Sequence, residues 1–142
     1  MAQARLDLTN KRDAHIDQRL RSDIIVWLST VRPDSRPHTA AVWFLWDSEH
    51  ILIFSQPNQK VRNLHQNPSV VLALDNTHGG DDVITIEGTA ELLDNPALTT
   101  ALPAYVAKYG DHIADLGWTP ESMSQSYSQA IRITPTKLHV IG

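Results

Sequence analysis

Apolar residues recur along this chain at two different periods, and the change of period separates its elements. From residue 24 to residue 93 they come in short dense runs: "IIVWLSTV", "HTAAVWFLW", "ILIFS", "SVVLALD" and "VITIEGTAEL". β-Branched and aromatic residues dominate these runs. Turn chemistry separates them, with "RPDSRP" after the first, "DSEH" after the second and Asn67-Pro68 before the fourth. They read as antiparallel strands, and Gly88 inside the fifth predicts a bulge or barrel corner. Ile16 and Leu20, four apart in polar surroundings, predict an amphipathic helix over residues 11–21. A second short helix is expected over 60–66, stopped by Asn67-Pro68. Residues 94–128 read as helical, with Asn95-Pro96 and Thr119-Pro120 as cap and first helical residue. "AIRITPTKLHVI" returns to strand, and Pro135 makes it an edge strand or a bulged one. About six strands with few helices predict a small barrel.

One run departs from simple alternation. A strand with one wet face should alternate, yet over residues 38–46 the set Ala40, Val42, Phe44 and Trp46 is apolar, and so is the opposite set Ala41, Trp43 and Leu45. Residues 51–54 and 70–74 behave the same way. One face can fill the barrel, and the other must meet a second subunit, a helix or a flat apolar ligand. A homodimer is the expectation, against the plainer alternative that the C-terminal helices cover the face.

Composition narrows the classes. At 142 residues the chain is expected to form one domain. It has no cysteine, so disulfides, thiolate zinc sites and cysteine nucleophiles are out. The N-terminal "MAQARLDLTNKRDAH" carries no apolar stretch behind its basic residues, and the longest apolar runs are too short to span a bilayer, which predicts a soluble cytoplasmic protein with no membrane partner. Net charge is -4 and the 12 Lys and Arg are scattered, so a general nucleic-acid footprint is missing. Small molecules or protein partners remain.

Candidate chemistry concentrates in "FSQPNQKVRNL". An apolar strand runs into a polar turn, and the helix behind it opens with two cations. Free N–H groups and a partial positive charge already occupy that end of a helix, so Lys60 and Arg62 are mildly unfavourable there unless an anion joins them. Ser55 offers a hydroxyl, Gln56 and Asn58 offer amides, and Asn63 lies within the first turns, a set suited to an isolated phosphate. The competing reading has Val61 and Leu64 pinning the helix while Lys60 and Arg62 solvate its flanks; spacing alone leaves both open. The neighbouring two-sided strand with Trp43 tilts the balance, because a planar ring needs an apolar slot near its phosphate anchor. Elsewhere the signals are weaker. The seven histidines lack ligand spacing, and His78 beside Asp81 and Asp82 reads as a loop cluster, so no metal is expected. No G-x-S-x-G elbow is present. "YVAKYGDHIADLGW" reads as satellite core through Tyr105, Tyr109 and Trp118, with an active-site lid or partner patch as its alternative.

The order of these residues resembles a known family. "VRPDSRPHTAAVWFLWD", "ILIFSQPNQKVRNLHQNPSVVLALD" and "VITIEGTAEL" look like the split β-barrel flavoproteins related to pyridoxamine 5'-phosphate oxidase. They are most similar to the flavin- and deazaflavin (F420)-dependent oxidoreductases, whose "PVWF" strand is here "AVWF". The resemblance is strong over about residues 24–93 and looser in "YVAKYGD" and "AIRITPTKL". It implies a mainly β chain with peripheral helices: a six-stranded antiparallel split β-barrel of Greek-key connectivity, homodimeric. The barrel would take residues 24–93 plus a closing strand over 129–141, with a helical insert over 94–128. It also implies a cofactor at the dimer interface, F420 or FMN, whose phosphate meets Ser55, Gln56, Lys60, Arg62 and Asn63 and whose ring lies along Ala40, Ala41, Val42 and Trp43.

Departures shape the expected function. The resemblance sets Ala40 where pyridoxamine phosphate oxidases carry a cofactor-binding arginine, Leu45 at their substrate-phosphate lysine and Gln59 at their pre-helix arginine; their long C-terminal substrate segment is missing. True pyridoxamine phosphate oxidase activity is therefore not expected. The expected function is an oxidoreductase that transfers hydride from F420 or FMN to a small organic substrate, with F420 favoured by the two lost arginines. No dedicated catalytic residue is expected, since the redox chemistry is the cofactor's. The competing class is a non-enzymatic flavin- or haem-binding or storage protein on the same barrel.

Overall fold

A computed structural model describes residues 2–75, 79–93 and 96–141 of the chain. The expected capping pair at Asn95 and the loop cluster at His78 fall on residues outside these.

Helix α1 (Lys11–Ser22) starts where the Asn10 side chain accepts from the Asp13 N–H at 2.8 Å, and it buries Ile16 and Leu20 completely. Strands β1 (Val26–Val31), β2 (Pro37–Val42), β3 (Leu45–Trp46) and β4 (Ile51–Ser55) follow. Helix α2 (Gln59–Gln66) then leads to β5 (Ser69–Leu74) and the long β6 (Val83–Leu93). Helices α3 (Pro96–Asp115) and α4 (Pro120–Ser126) precede the closing β7 (Gln129–Ile141). The strands form one curled antiparallel sheet, a half-barrel, in the order β2-β1-β5-β6-β7-β4-β3.

The sheet has seven strands rather than six because residues 38–46 do not form one continuous strand. The chain leaves the ladder at Trp43 and Phe44. There the Phe44 N–H donates to the Tyr109 hydroxyl at 2.9 Å rather than to a neighbouring strand, while the Phe44 ring turns fully into the core. A helix side chain thus replaces a ladder partner, which a strand pattern does not encode. Consequently β2 and β3, next to each other in the chain, are the two opposite edges of the sheet.

The interior is filled from the inward-facing set of every long strand, including Leu28, Ile53, Leu72, Ile86 and Ile133. A second apolar cluster on the other side of β4 joins Phe54, Tyr105, Tyr109, Ile113, Met123 and Ala130, with Trp43, Leu45 and Leu52 packed against it. Helices α3 and α4 therefore cover the second dry face of residues 43–54, where a second subunit was the expectation. Trp46 is core, its indole N–H donating to Asp17 at 2.9 Å. Apolar surface is left open on the outer face of β1 and β5, where Trp27 is 43% and Val71 45% exposed. Trp27 pairs across the sheet with Ala41 on one side and Ala73 on the other.

Pro135 does not make β7 an edge, since β7 lies between β6 and β4. It sits instead at the bulge: Glu87 pairs with Lys137 and Gly88 with Pro135, leaving Thr136 as the extra residue. Gly88 is required by close approach, because a Cβ there would lie 2.8 Å from the Thr134 carbonyl oxygen. Among the described residues no helix is long and apolar enough to cross a membrane.

Candidate cofactor site

The turn from β4 into α2 places the first polar groups. Val61 and Leu64 anchor α2 in the core, and residue 60, one turn before Leu64, is drawn inward with them. Lys60 is consequently only 9% exposed. Its ammonium donates to the Asn58 side-chain oxygen at 3.2 Å, and that use of Asn58 coincides with the lack of a side-chain cap on the helix N-terminus. Burial holds the Lys60 pKa below the usual lysine range, and no carboxylate among the described residues offsets it. The field reaches β2, where burial first, and then the charges of Arg32 and Lys60, depress the His38 pKa. A buried cation thus stands beside helix amides that no side chain caps.

A cavity of about 260 Å³ opens beside this cation. Ala41, Val42 and Trp43, at the end of β2 and in the link beyond it, form its floor, and Gln56, Asn58 and Lys60 its polar end. Tyr105 and Phe54 continue the wall, and the α3–α4 segment closes it with Leu116, Trp118, Met123 and Tyr127. Trp43 is held by Tyr109, whose ring lies parallel to it with centroids 4.6 Å apart. Burial pushes the Tyr105 and Tyr109 hydroxyls well above the ordinary tyrosine pKa, so both stay neutral.

Five of the nine residues expected at the site share this cavity: Ala41, Val42, Trp43, Gln56 and Lys60. The other four do not line it. Ala40 is half-buried on the same face of β2 as Val42, one step before the lining begins at Ala41. The Ser55 hydroxyl is buried and donates to the Gln56 carbonyl at 2.6 Å. Asn63, with no exposed surface, donates to the Thr30 hydroxyl at 2.9 Å and accepts from Gln59 at 2.7 Å, tying α2 to β1. Arg62 is exposed, and its guanidinium donates to Gln59 at 3.0 Å. The wall from α3 and α4 is the part that the sequence offered only as an alternative to satellite core, through "YVAKYGDHIADLGW". Tyr105 and Trp118 stood out as aromatic residues, whereas Leu116 and Met123 carry no signal that separates a cavity wall from ordinary core.

Comparison with known proteins places the chain in a family. The family described as "Pyridoxamine 5'-phosphate oxidase" matches residues 13–142, and the chain belongs to it. A search of curated proteins gives no match. Among solved structures, an F420 reductase is similar with a TM-score of 0.69 at 23% identity, covering 87% of this chain and 94% of that one. A conserved hypothetical protein from Mycobacterium tuberculosis is similar with a TM-score of 0.75 at 23% identity, over 99% of this chain and 89% of that one. HutZ, the haem storage protein from Vibrio cholerae, is similar with a TM-score of 0.68 at 20% identity, over 96% and 95%. At these identities the likeness is one of fold.

Proposed function

We propose that this chain is an oxidoreductase whose cavity holds F420 or FMN, with F420 favoured, and which passes hydride to a small organic substrate. One observation carries the reading: Lys60 is a buried cation without a carboxylate partner among the described residues, at one end of a slot floored by Ala41, Val42 and Trp43. A cofactor phosphate would meet the Lys60 ammonium and the N–H groups of the first α2 turn, with Gln56 and Asn58 adding amides. The redox chemistry is supplied by the bound cofactor; the chain contributes orientation and a partly dry slot. The similar fold of an F420 reductase supports this reading, and the missing arginines at positions 40 and 59 disfavour a true pyridoxamine phosphate oxidase.

The same proposal includes a homodimer, formed through the outer face of β1, β2 and β5 around Trp27 and Val71 rather than through Trp43 or Trp46. The slot is small for a tricyclic phosphate ester, below the usual range for ligand cavities, so a neighbouring copy would complete its cover.

The test is titration of FMN and of F420 into the purified protein and into Lys60→Ala. Loss of a charge-assisted contact should weaken binding by about 10- to 150-fold, while the thermal melt of the cofactor-free protein hardly moves. Unaltered affinity for both cofactors would overturn the placement of the phosphate. Absorbance and mass of the ligand released from purified protein decide between F420 and FMN. A sealed, tightly held cofactor without turnover would favour the storage class instead.

A further inference from the structure

Among the described residues, Nδ1 of His38 is the one buried side-chain nitrogen or oxygen with no hydrogen-bond partner. Buried polar atoms are almost always paired, so an orphan nitrogen calls for a cause. The sheet register supplies one. His38 lies directly opposite Thr30 across the β1–β2 pair, and residues paired in this way share a face. The Thr30 hydroxyl accepts from Asn63 of α2 at 2.9 Å, and Lys60 stands one turn before Asn63, both of them buried. One face of α2 thus sets an amide on Thr30 and an ammonium close enough for its charge to act on His38. Along β2 the same face continues through Ala40, which has only a methyl, to Val42, and Val42 lines the cavity together with Lys60. Lys60 is therefore common to the cavity and to the surroundings of His38.

The charge around His38 is one-sided. Burial first, then Arg32 just past β1 and Lys60 of α2, hold the imidazole below the ordinary histidine pKa, and no carboxylate among the described residues counters them. Thr30 and Asn63 are uncharged and bonded to each other. Both protonation states are therefore costly: neutral, the ring turns an unpaired nitrogen to the interior, and protonated, it adds a third positive charge to two. A dianion beside Lys60 removes the second cost, because its field favours the imidazolium. We propose that His38 positions the cofactor phosphate through its charge: as the phosphate settles beside Lys60, the imidazole takes up one proton from solvent, and a second cation then holds the anion. This rests on the reading of the Lys60 end as the phosphate anchor. It places a conditional charge on β2, where position 40 offers none.

The test is fluorescence titration of FMN from pH 5.5 to 8.5 into the wild type and His38→Gln, with riboflavin, which lacks the phosphate, as second probe. Calorimetry in two buffers of different ionisation enthalpy counts the protons taken up. The phosphate's own titration is common to both proteins, so the difference between them isolates His38. Between pH 6 and pH 8 the wild type should lose about 5- to 20-fold more FMN affinity than the variant, with uptake of up to about one proton, and riboflavin should show no such difference. Equal FMN profiles in the two proteins, or equal proton uptake, overturn the inference and leave the cofactor reading standing. A riboflavin profile that parallels that of FMN also overturns it, since the proton would then answer the ring. Failure of the wild type to bind either FMN or F420 sinks the cofactor reading instead. The His38 proton resonance on Cε1 then decides: its pKa should rise when inorganic phosphate is added, and no rise overturns the inference. That measurement needs no variant, so it also decides if His38→Gln does not fold.

Discussion

The Trp43 indole and the Tyr109 phenol lie face to face, 4° from parallel with centroids 4.6 Å apart, and the same Tyr109 hydroxyl donates to the Ile24 carbonyl at 2.7 Å while accepting from the Phe44 N–H at 2.9 Å. One residue of α3 therefore both supports the cavity floor and satisfies the break between β2 and β3. Tyr109→Phe keeps the ring and removes the hydroxyl, leaving a buried N–H without that partner. It should cost about 1 to 3 kcal/mol of stability, seen as a lower urea midpoint with an unchanged slope. An unchanged midpoint would mean that water or a backbone shift serves Phe44 equally well.

Lys108 gives a pH signature. Its ammonium donates to the Phe44 carbonyl at 3.0 Å and lies 3.8 Å from the centre of the Phe44 ring, and burial pulls its pKa down to about 8. A folded pKa below the unfolded value of 10.5 means that the unfolded chain holds the extra proton between these two limits. Stability attributable to this group should therefore rise as pH increases from 8 towards 10.5, and Lys60, shifted in the same direction, adds to the rise. Urea midpoints between pH 7.5 and 9.5 check this, and Lys108→Met should flatten the slope. An equal slope in the variant would assign the pH dependence elsewhere.

Gly88→Ala tests the bulge. The new methyl would meet the Thr134 carbonyl oxygen at 2.8 Å and the Ile133 Cγ2 at 2.9 Å, both on a central strand with little room to give. A loss of about 1 to 3 kcal/mol is expected in equilibrium unfolding. A neutral result would show that β7 can slide at Thr136.

The proposed dimer predicts sedimentation near twice the 15.9 kDa chain mass. Trp27→Glu sets a charge on the open apolar face and should shift the protein to monomer, with cofactor loss that tracks dilution. A wild-type monomer at micromolar concentration that keeps its cofactor would remove the shared-site element of the proposal.

Local chemistry made much of the sheet legible. Ile16 and Leu20 marked α1, Asn67-Pro68 ended α2, Gly88 marked the bulge, and Thr119-Pro120 opened α4, each through a signal carried within a few residues. What escaped depends on partners far along the chain. The division of residues 38–46 is set by Tyr109, 65 positions beyond Phe44, and the central place of β7 by pairing with both β6 and β4. At the site, Lys60 and Trp43 were legible as a cation and a ring in unusual places. Asn63 resembled a phosphate ligand because an amide one turn into a helix looks alike whether it faces a ligand or, as here, the Thr30 hydroxyl.

The position of β7 also sets an order of assembly. Strands β4 and β3 join the rest of the sheet through β7, so a nascent chain can pair β2, β1, β5 and β6 while the β3–β4 hairpin has no sheet to dock on. Only when residues 129–141 have emerged from the ribosome can the two edges approach across Trp43 and Phe44. Such distant pairing is entropically slow, and until it forms the apolar strands of the hairpin stand open to other chains. The cavity, lying at that seam, would be among the last parts of the molecule to exist, so the proposed cofactor would meet the chain after translation of the half-barrel rather than during it.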